Sequence, residues 1–292
     1  MQTTISVQNL KKHFGLVRAV DDISFEIQKG EIFGFLGPNG AGKTTTIRCM
    51  MDFIRPDSGK IFMLGLNSFE HSVELKKKIG FLSADPGLYT YWRGIDHIKF
   101  VEKIRGKSQI VEELIQKLDF DPKMKVKNLS TGNKQKLALI LALMNKPEIL
   151  ILDEPTAGLD PILQNEIYKI LEQFEKDGCT IFMSSHNLAE VEKICHRVGI
   201  IKAGKLVAVE NISSLQHKRM HYVSVQFDKP ISADVFKMKD VKIISKANNH
   251  LIFNVKGDVR PILTKILTFD IADIEISHAT LEEIFLEFYE RK

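Results

Sequence analysis

The sequence predicts an α/β chain, a mixed sheet core with helices, followed by a small α+β domain. Three observations carry this. EIFGFLG (31–37), EILILD (148–153) and TIFMSS (180–185) are short, almost continuously apolar runs, the pattern of strands covered on both faces. Between the last two, Leu163, Ile167, Ile170 and Phe174 recur at helical spacing. A strand, a helix and a strand in that order read as a parallel crossover. Beyond 219 the texture changes to short alternating strands.

The elements follow in order. TISVQ (3–7), DISFEI (22–27), 60–64 and 79–83 alternate or are β-branched, and read as strands. LALILALM (137–144) is an apolar helical run entered through the polar strip LSTGNKQKL (129–137). A hairpin turn at Ala203-Gly204 closes the large domain near Glu210, and NISSLQHKR (211–219) reads as a polar link. YVSVQF, VKIIS, HLIFNV and DIEIS are four further strands. PILTKILTF is one helix and LEEIFLEFYE another, with Leu281, Ile284, Phe285 and Phe288 on one face. This predicts a βαββαβ-like domain with a terminal helix. The boundaries are 1–215 and 220–292.

Bulk properties exclude several classes. A net charge of +4, from 41 basic and 37 acidic residues that are scattered, is too mild to argue for nucleic acid. Lys123, Lys125 and Lys127 read as a solvated loop. Cys49, Cys179 and Cys195 have no metal or disulfide spacing, so free thiols are expected. The longest apolar run is far below the roughly 20 residues that span a bilayer.

GPNGAGKT (37–44) fits G-x-x-x-x-G-K-[ST] after a buried strand and before a helical run. Glycines there let backbone N–H groups wrap phosphate oxygens, Lys43 reaches the terminal phosphates, and Thr44 offers a hydroxyl to Mg²⁺. EILILDEP ends in Asp153-Glu154. A carboxylate at a buried strand tip can hold Mg²⁺, and a second one beside it can orient or deprotonate water. Equally, the pair can simply open a turn before Pro155. SSHN (184–187) ends the next strand with His186, which is either structural or a sensor of the terminal phosphate. Ser130 and Gly132 read as a helix cap or as half of an anion site.

GPNGAGKT, LSTGNKQKL, ILILDEPTAGLD and SSH, in this order, resemble the nucleotide-binding subunit of an ABC transporter. They stand where that family has its Walker A loop, signature motif, Walker B strand with D-loop, and switch histidine. The resemblance covers residues 1 to about 215 and implies a P-loop NTPase of ABC type with a helical subdomain. ATLEEIFLEFYE resembles, more weakly, the ending of bacterial exporter-type ATPases.

The resemblance implies roles. Phe14 stands where the family stacks an aromatic on adenine; the alternative is a core or turn phenylalanine. Gly37, Pro38, Asn39, Gly40, Ala41, Gly42, Lys43, Thr44 and Thr45 would hold the phosphates of ATP, with Thr44 and Asp153 on Mg²⁺. Glu154 would be the base and His186 would bridge toward the γ-phosphate. Ser130 and Gly132 would meet the nucleotide of a second ATP-binding subunit, identical or different. Asp160 would communicate with that subunit, or simply cap a helix before Pro161. A membrane-spanning permease subunit is the implied partner, at the cytoplasmic face of the membrane. A drug, an antimicrobial or cytolytic peptide or a lipid-like molecule is the implied export cargo.

Two departures stand out. Thr131, Gly132 and Asn133 replace the family's Gly-Gly-Gln. Ala84, between Ser83 and Asp85, occupies the position of a glutamine that touches Mg²⁺ and the permease. Alanine cannot donate or accept through its side chain, so either Asp85 substitutes or coupling is looser. The aromatic run Leu88 to Trp92 is read as a permease contact, against a core segment. The competing class is a soluble ABC ATPase acting on ribosomes or nucleic acid. DNA-repair relatives insert coiled coils between Walker A and signature, and the stretch from Lys43 to Ser130 has no room for one. Translation relatives carry two motif sets, and this chain has one.

Overall fold

The computed structural model describes residues 2–217 and 220–278. The chain divides into two compact units, Met1–Glu210 and Asn211–Lys292. In the first, β1 (Thr3–Phe14) and β2 (Val17–Gln28) form a long antiparallel hairpin. The sequence shows only fragments of it because its alternation breaks. Val7 and Leu10 are both buried while Gln8 and Asn9 between them are exposed, and Asn9 has φ 47°, a bulge that resets the register.

β3 (Ile32–Leu36) and α1 (Lys43–Met50) follow, then β4 (Ser58–Met63) and β5 (Leu66–Asn67), which complete a sheet ordered β2-β1-β4-β5. α2 (Ser72–Lys78) and β6 (Ile79–Leu82) lead into a helical region. It comprises α3 (Gly94–Arg105), α4 (Val111–Lys117) and α5 (Thr131–Leu143). The chain then returns through β7 (Ile149–Asp153), α6 (Pro161–Lys176), β8 (Thr180–Ser185) and α7 (Leu188–Ile194). β9 (Arg197–Lys202) and β10 (Lys205–Asn211) end the unit across the turn Ala203-Gly204, both residues at positive φ as a tight hairpin turn needs.

The second sheet runs β10-β9-β3-β8-β7-β6, and β6, β7, β8, β3 and β9 pair in parallel. Every residue of β3, β7 and β8 is buried, which is why these strands read as unbroken apolar runs. Phe25 of β2 stacks on Phe33 of β3 at 5.6 Å and lies 6.0 Å from Phe182 of β8, so an aromatic seam joins the two sheets. Ile47 and Met50 of α1 pack into the same core. Full burial of one such side chain stabilises by about 1.5–3 kcal/mol.

The second unit begins with α8 (Ile212–His217), a short helix where the sequence suggests only a polar link. Buried Ile212 anchors it. β11 (Met220–Phe227), β12 (Val241–Ala247), β13 (His250–Lys256), α9 (Arg260–Ile266) and β14 (Ile271–His278) form an antiparallel sheet ordered β12-β13-β11-β14. This is the ferredoxin-like order expected of a βαββαβ unit, with one correction. The first crossover is a single 3₁₀ turn (Ala233–Phe236), since the loop that holds it is short and contains Pro230. Phe236 takes the place of a helix face, fully buried against Phe227 and Phe253. The terminal helix expected at 281–290 lies outside the described residues.

All three thiols are buried and free. Burial pushes Cys49 up to about 11, Cys179 up to about 12 and Cys195 well above the ordinary range. The native protein should therefore resist maleimide near neutral pH and label fully once denatured, as mass spectrometry would show. A thiol that labels within minutes in the folded chain contradicts this burial.

Candidate functional site

β3 delivers the chain to Gly37, and the loop runs through Pro38, Asn39, Gly40, Ala41 and Gly42 into α1 at Lys43. Two glycines make this path possible. A Cβ on Gly37 would lie 2.4 Å from the Ile201 carbonyl oxygen, and one on Gly42, at φ 110°, 2.3 Å from that of Ala19. Hydrogen bonds tie the loop down on both sides. The Gly37 amide donates to Ser185 O at 3.1 Å and the Gly204 amide to Ala41 O at 3.0 Å. The amides opening α1 have no partner one turn back, so they suit an anion. The loop walls a cleft of about 370 Å³ with Lys43, Thr44, Thr45 and Glu154.

Lys43 is buried, and its amine donates to Gly37 O at 2.7 Å and Pro38 O at 3.2 Å. It also pairs with Glu154 Oε1 at 3.2 Å. Glu154 reaches it through an uncommon backbone, φ 51°, held because its amide donates to the Ser184 carbonyl and hydroxyl oxygens. The other oxygen, Oε2, lies 3.0 Å from His186 Nδ1. A carboxylate only accepts, so Nδ1 carries the proton of this bond. One carboxylate thus joins the phosphate loop to the end of β8.

Asp153 ends β7 and is 2% exposed, with the Ser184 hydroxyl donating to Oδ1 at 2.6 Å. A carboxylate at that depth suits a cation, although Asp153 itself does not line the cleft; Thr44, which does, offers a hydroxyl, and both are oxygen donors of the kind a hard cation prefers. These residues fit Mg²⁺.

The remaining expected residues are less convergent. Phe14 ends β1, half exposed with Lys12 Nζ 5.4 Å from its ring centre; its cross-strand partner Val17 lines the cleft. Ser130, Gly132 and Asp160 do not line it. Within one chain Ser130 caps α5, accepting from the Asn133 amide at 3.2 Å. Asp160 caps α6, accepting from the Ile162 and Leu163 amides at 3.0 Å. Asp85 lies exposed in the irregular segment after β6. The aromatic run divides. Trp92 packs on Tyr89, His97 and Phe100, while Tyr89 and Tyr91 present exposed rings. Val17, Arg18 and Ala19 wall the cleft and Ser184 holds Asp153, roles invisible in the sequence because the first three only flank a hairpin turn and Ser184 reads as strand.

Residues 20–157 match the model of the ABC transporter family. The chain is 34% identical to the bacitracin transport ATP-binding protein BcrA of Bacillus licheniformis, over 98% of this chain and 97% of that one. The chain belongs to the ABC transporter ATP-binding proteins. It is also 37% identical to the lantibiotic transport ATP-binding protein SrtF of Streptococcus pyogenes, over 70% of this chain and 89% of that one. A solved dimeric ABC transporter cassette, MJ0796, shares the fold at a TM-score of 0.67 and 21% identity, over 71% of this chain and 98% of that one.

As an ABC ATPase the chain binds and hydrolyses ATP, with Mg²⁺ the nucleotide's general partner. Subunits of this kind dimerise and work with a membrane permease. Among the described residues no helix is long and apolar enough to cross a membrane. The ribosomal and nucleic-acid reading finds no support in these relatives. Because Gly42 alone lets the loop pass under Ala19, Gly42→Ala should cost about 1–3 kcal/mol of stability and weaken ATP binding. Thermal unfolding and nucleotide titration read both effects; wild-type values in each would contradict the close approach.

Proposed function

We propose that the chain powers export through a separate permease, at the cytoplasmic face of a membrane, with peptide-type antimicrobials or similar drugs as cargo. The likeness to bacitracin and lantibiotic transport subunits, the first over nearly the whole chain, supports the class of cargo. The observation that carries the catalytic reading is the chain of contacts Lys43–Glu154–His186 at the mouth of the phosphate loop.

In this reading the terminal phosphates of ATP take the place of Glu154 on the Lys43 amine, because a polyphosphate carries more charge than one carboxylate. Lys43 and backbone amides within 39–45 hold the phosphates, and Thr44 with Asp153 would hold Mg²⁺, which screens the phosphate charge. Glu154, released from Lys43 but kept on His186, then orients the attacking water and takes its proton. With Nδ1–H given to Glu154, His186 would meet the γ-phosphate as a doubly protonated ring, donating from Nε2. Phe14 stacks on adenine at the rim. Ser130 and Gly132 keep their capping geometry and offer that helix entrance to the nucleotide of a second copy, with Asp160 beside the same joint. The exposed rings of Tyr89 and Tyr91 suit a permease contact.

Two variants test this. Glu154→Gln should retain ATP binding while turnover falls about a hundredfold or more; hydrolysis near the wild-type rate would show that Glu154 is not the base. Ser130→Arg should spare nucleotide binding yet block the ATP-dependent dimer and its hydrolysis. Size-exclusion with ATP, in the Glu154→Gln background, reads the dimer, and full activity would mean that this strip is only a cap.

A further inference from the structure

We infer that Glu190, in α7, is a positioning residue for hydrolysis: its buried carboxylate locks the turn after Glu154 to the turn before His186. The inference rests on the roles proposed above for those two residues. Glu190 is 5% exposed. It accepts from the Thr156 hydroxyl through one oxygen and from the Ser185 hydroxyl, at 2.5 Å, through the other. Both hydroxyls are themselves buried. Thr156 lies two residues beyond Glu154, and Ser185 is the residue before His186.

Placing a carboxylate in such an interior is costly unless its oxygens are hydrogen-bonded. Burial raises its pKa, while the two hydroxyl bonds favour the charged form. Two hydroxyls bonded to the two oxygens of one buried carboxyl group tie two backbone segments to a single side chain at a set separation. Across the same two turns Glu154 Oε2 lies 3.0 Å from His186 Nδ1. Two amides grip the same turn from other helices: Gln135 donates to Pro155 O at 2.8 Å, and Gln164 to Leu159 O at 3.1 Å. Glu190 reaches the phosphate loop only through Ser185, whose hydroxyl it binds; the Ser185 carbonyl that takes the Gly37 amide is held separately by the β3–β8 pairing, and the loop's other anchors are Ala41 O and the walls at Ala19 and Ile201. Disturbing Glu190 should therefore affect the chemical step more than ATP affinity.

The test compares Glu190→Ala and Glu190→Gln in the full chain, reading ATP Kd, kcat and thermal stability. Glutamine can accept from one hydroxyl and donate to the other, so it should keep most of the turnover. Alanine should leave Kd unchanged and lower kcat about tenfold to a hundredfold, the cost of an ångström-scale misplacement. In the Glu190→Ala background, Thr156→Val should add little. Wild-type turnover in Glu190→Ala, parallel loss of Kd and kcat, or a glutamine variant as poor as alanine would each overturn the inference. Should Glu190→Ala fail to fold, Thr156→Ser against Thr156→Val reads the same bond: serine should keep turnover and valine lose it, and equal rates overturn the proposal. Glu154→Gln, run in parallel, separates the two claims. If it is inactive while Glu190→Ala is not, only the positioning role falls; if it stays active, the base assignment falls.

Discussion

Leu36 of β3 pairs with Ser185 of β8, and Ser184 beside it pairs with Asp153 of β7, so three parallel strands end at one level. Because parallel strands present all their C-terminal ends on the same edge, the chain must leave them there as three adjacent turns. One turn is the glycine loop, one carries the two carboxylates and one carries His186. The contacts between these turns follow from that register. A slip of one residue in β8 would move the Ser184 hydroxyl to the other face and leave Asp153 and the Glu154 amide without their donor and acceptor.

On this platform the decisive local feature is the backbone of Glu154. Its positive φ turns the chain off β7 early and swings the carboxylate back over the loop. An unusual conformation of this kind persists only when the surroundings over-determine it. Here the Ser184 carbonyl and hydroxyl hold the amide while Lys43 and His186 hold the side chain. Lys43 is meanwhile gathered by two loop carbonyls, so its charge is already aimed into the cleft. Preorganised charge of this sort stabilises a developing charge without reorganisation at the moment of reaction.

Support comes from the helices rather than the strands. Gln135 of α5, Gln164 of α6 and Glu190 of α7 each reach the turn between Pro155 and Leu159. α5 is also the helix that Ser130 caps, so one rigid element carries both the proposed contact with a second copy and the side chain that holds Pro155. The small unit has its own core, in which Phe227, Phe236, Phe253 and Phe269 replace the missing crossover helix.

The sequence by itself determined the buried strands, the crossover through α6 and the phosphate loop, because each leaves a local imprint. Burial on two faces removes polar residues, one buried helix face repeats apolar residues, and a backbone that must approach phosphate demands glycine. It also placed Asp153, Glu154 and His186 at strand ends. It left Ser130 and Asp160 open between cap and contact, and only the tertiary structure shows both capping within the chain. It could not show the full β1–β2 hairpin, whose bulge at Asn9 breaks the alternation, nor the single 3₁₀ turn before β12. Only the tertiary structure decided that one Glu154 carboxylate joins Lys43 to His186, and that Glu190 spans Thr156 and Ser185. Those contacts depend on strand register and on one left-handed residue, and neither quantity is written in the periodicity of any single segment.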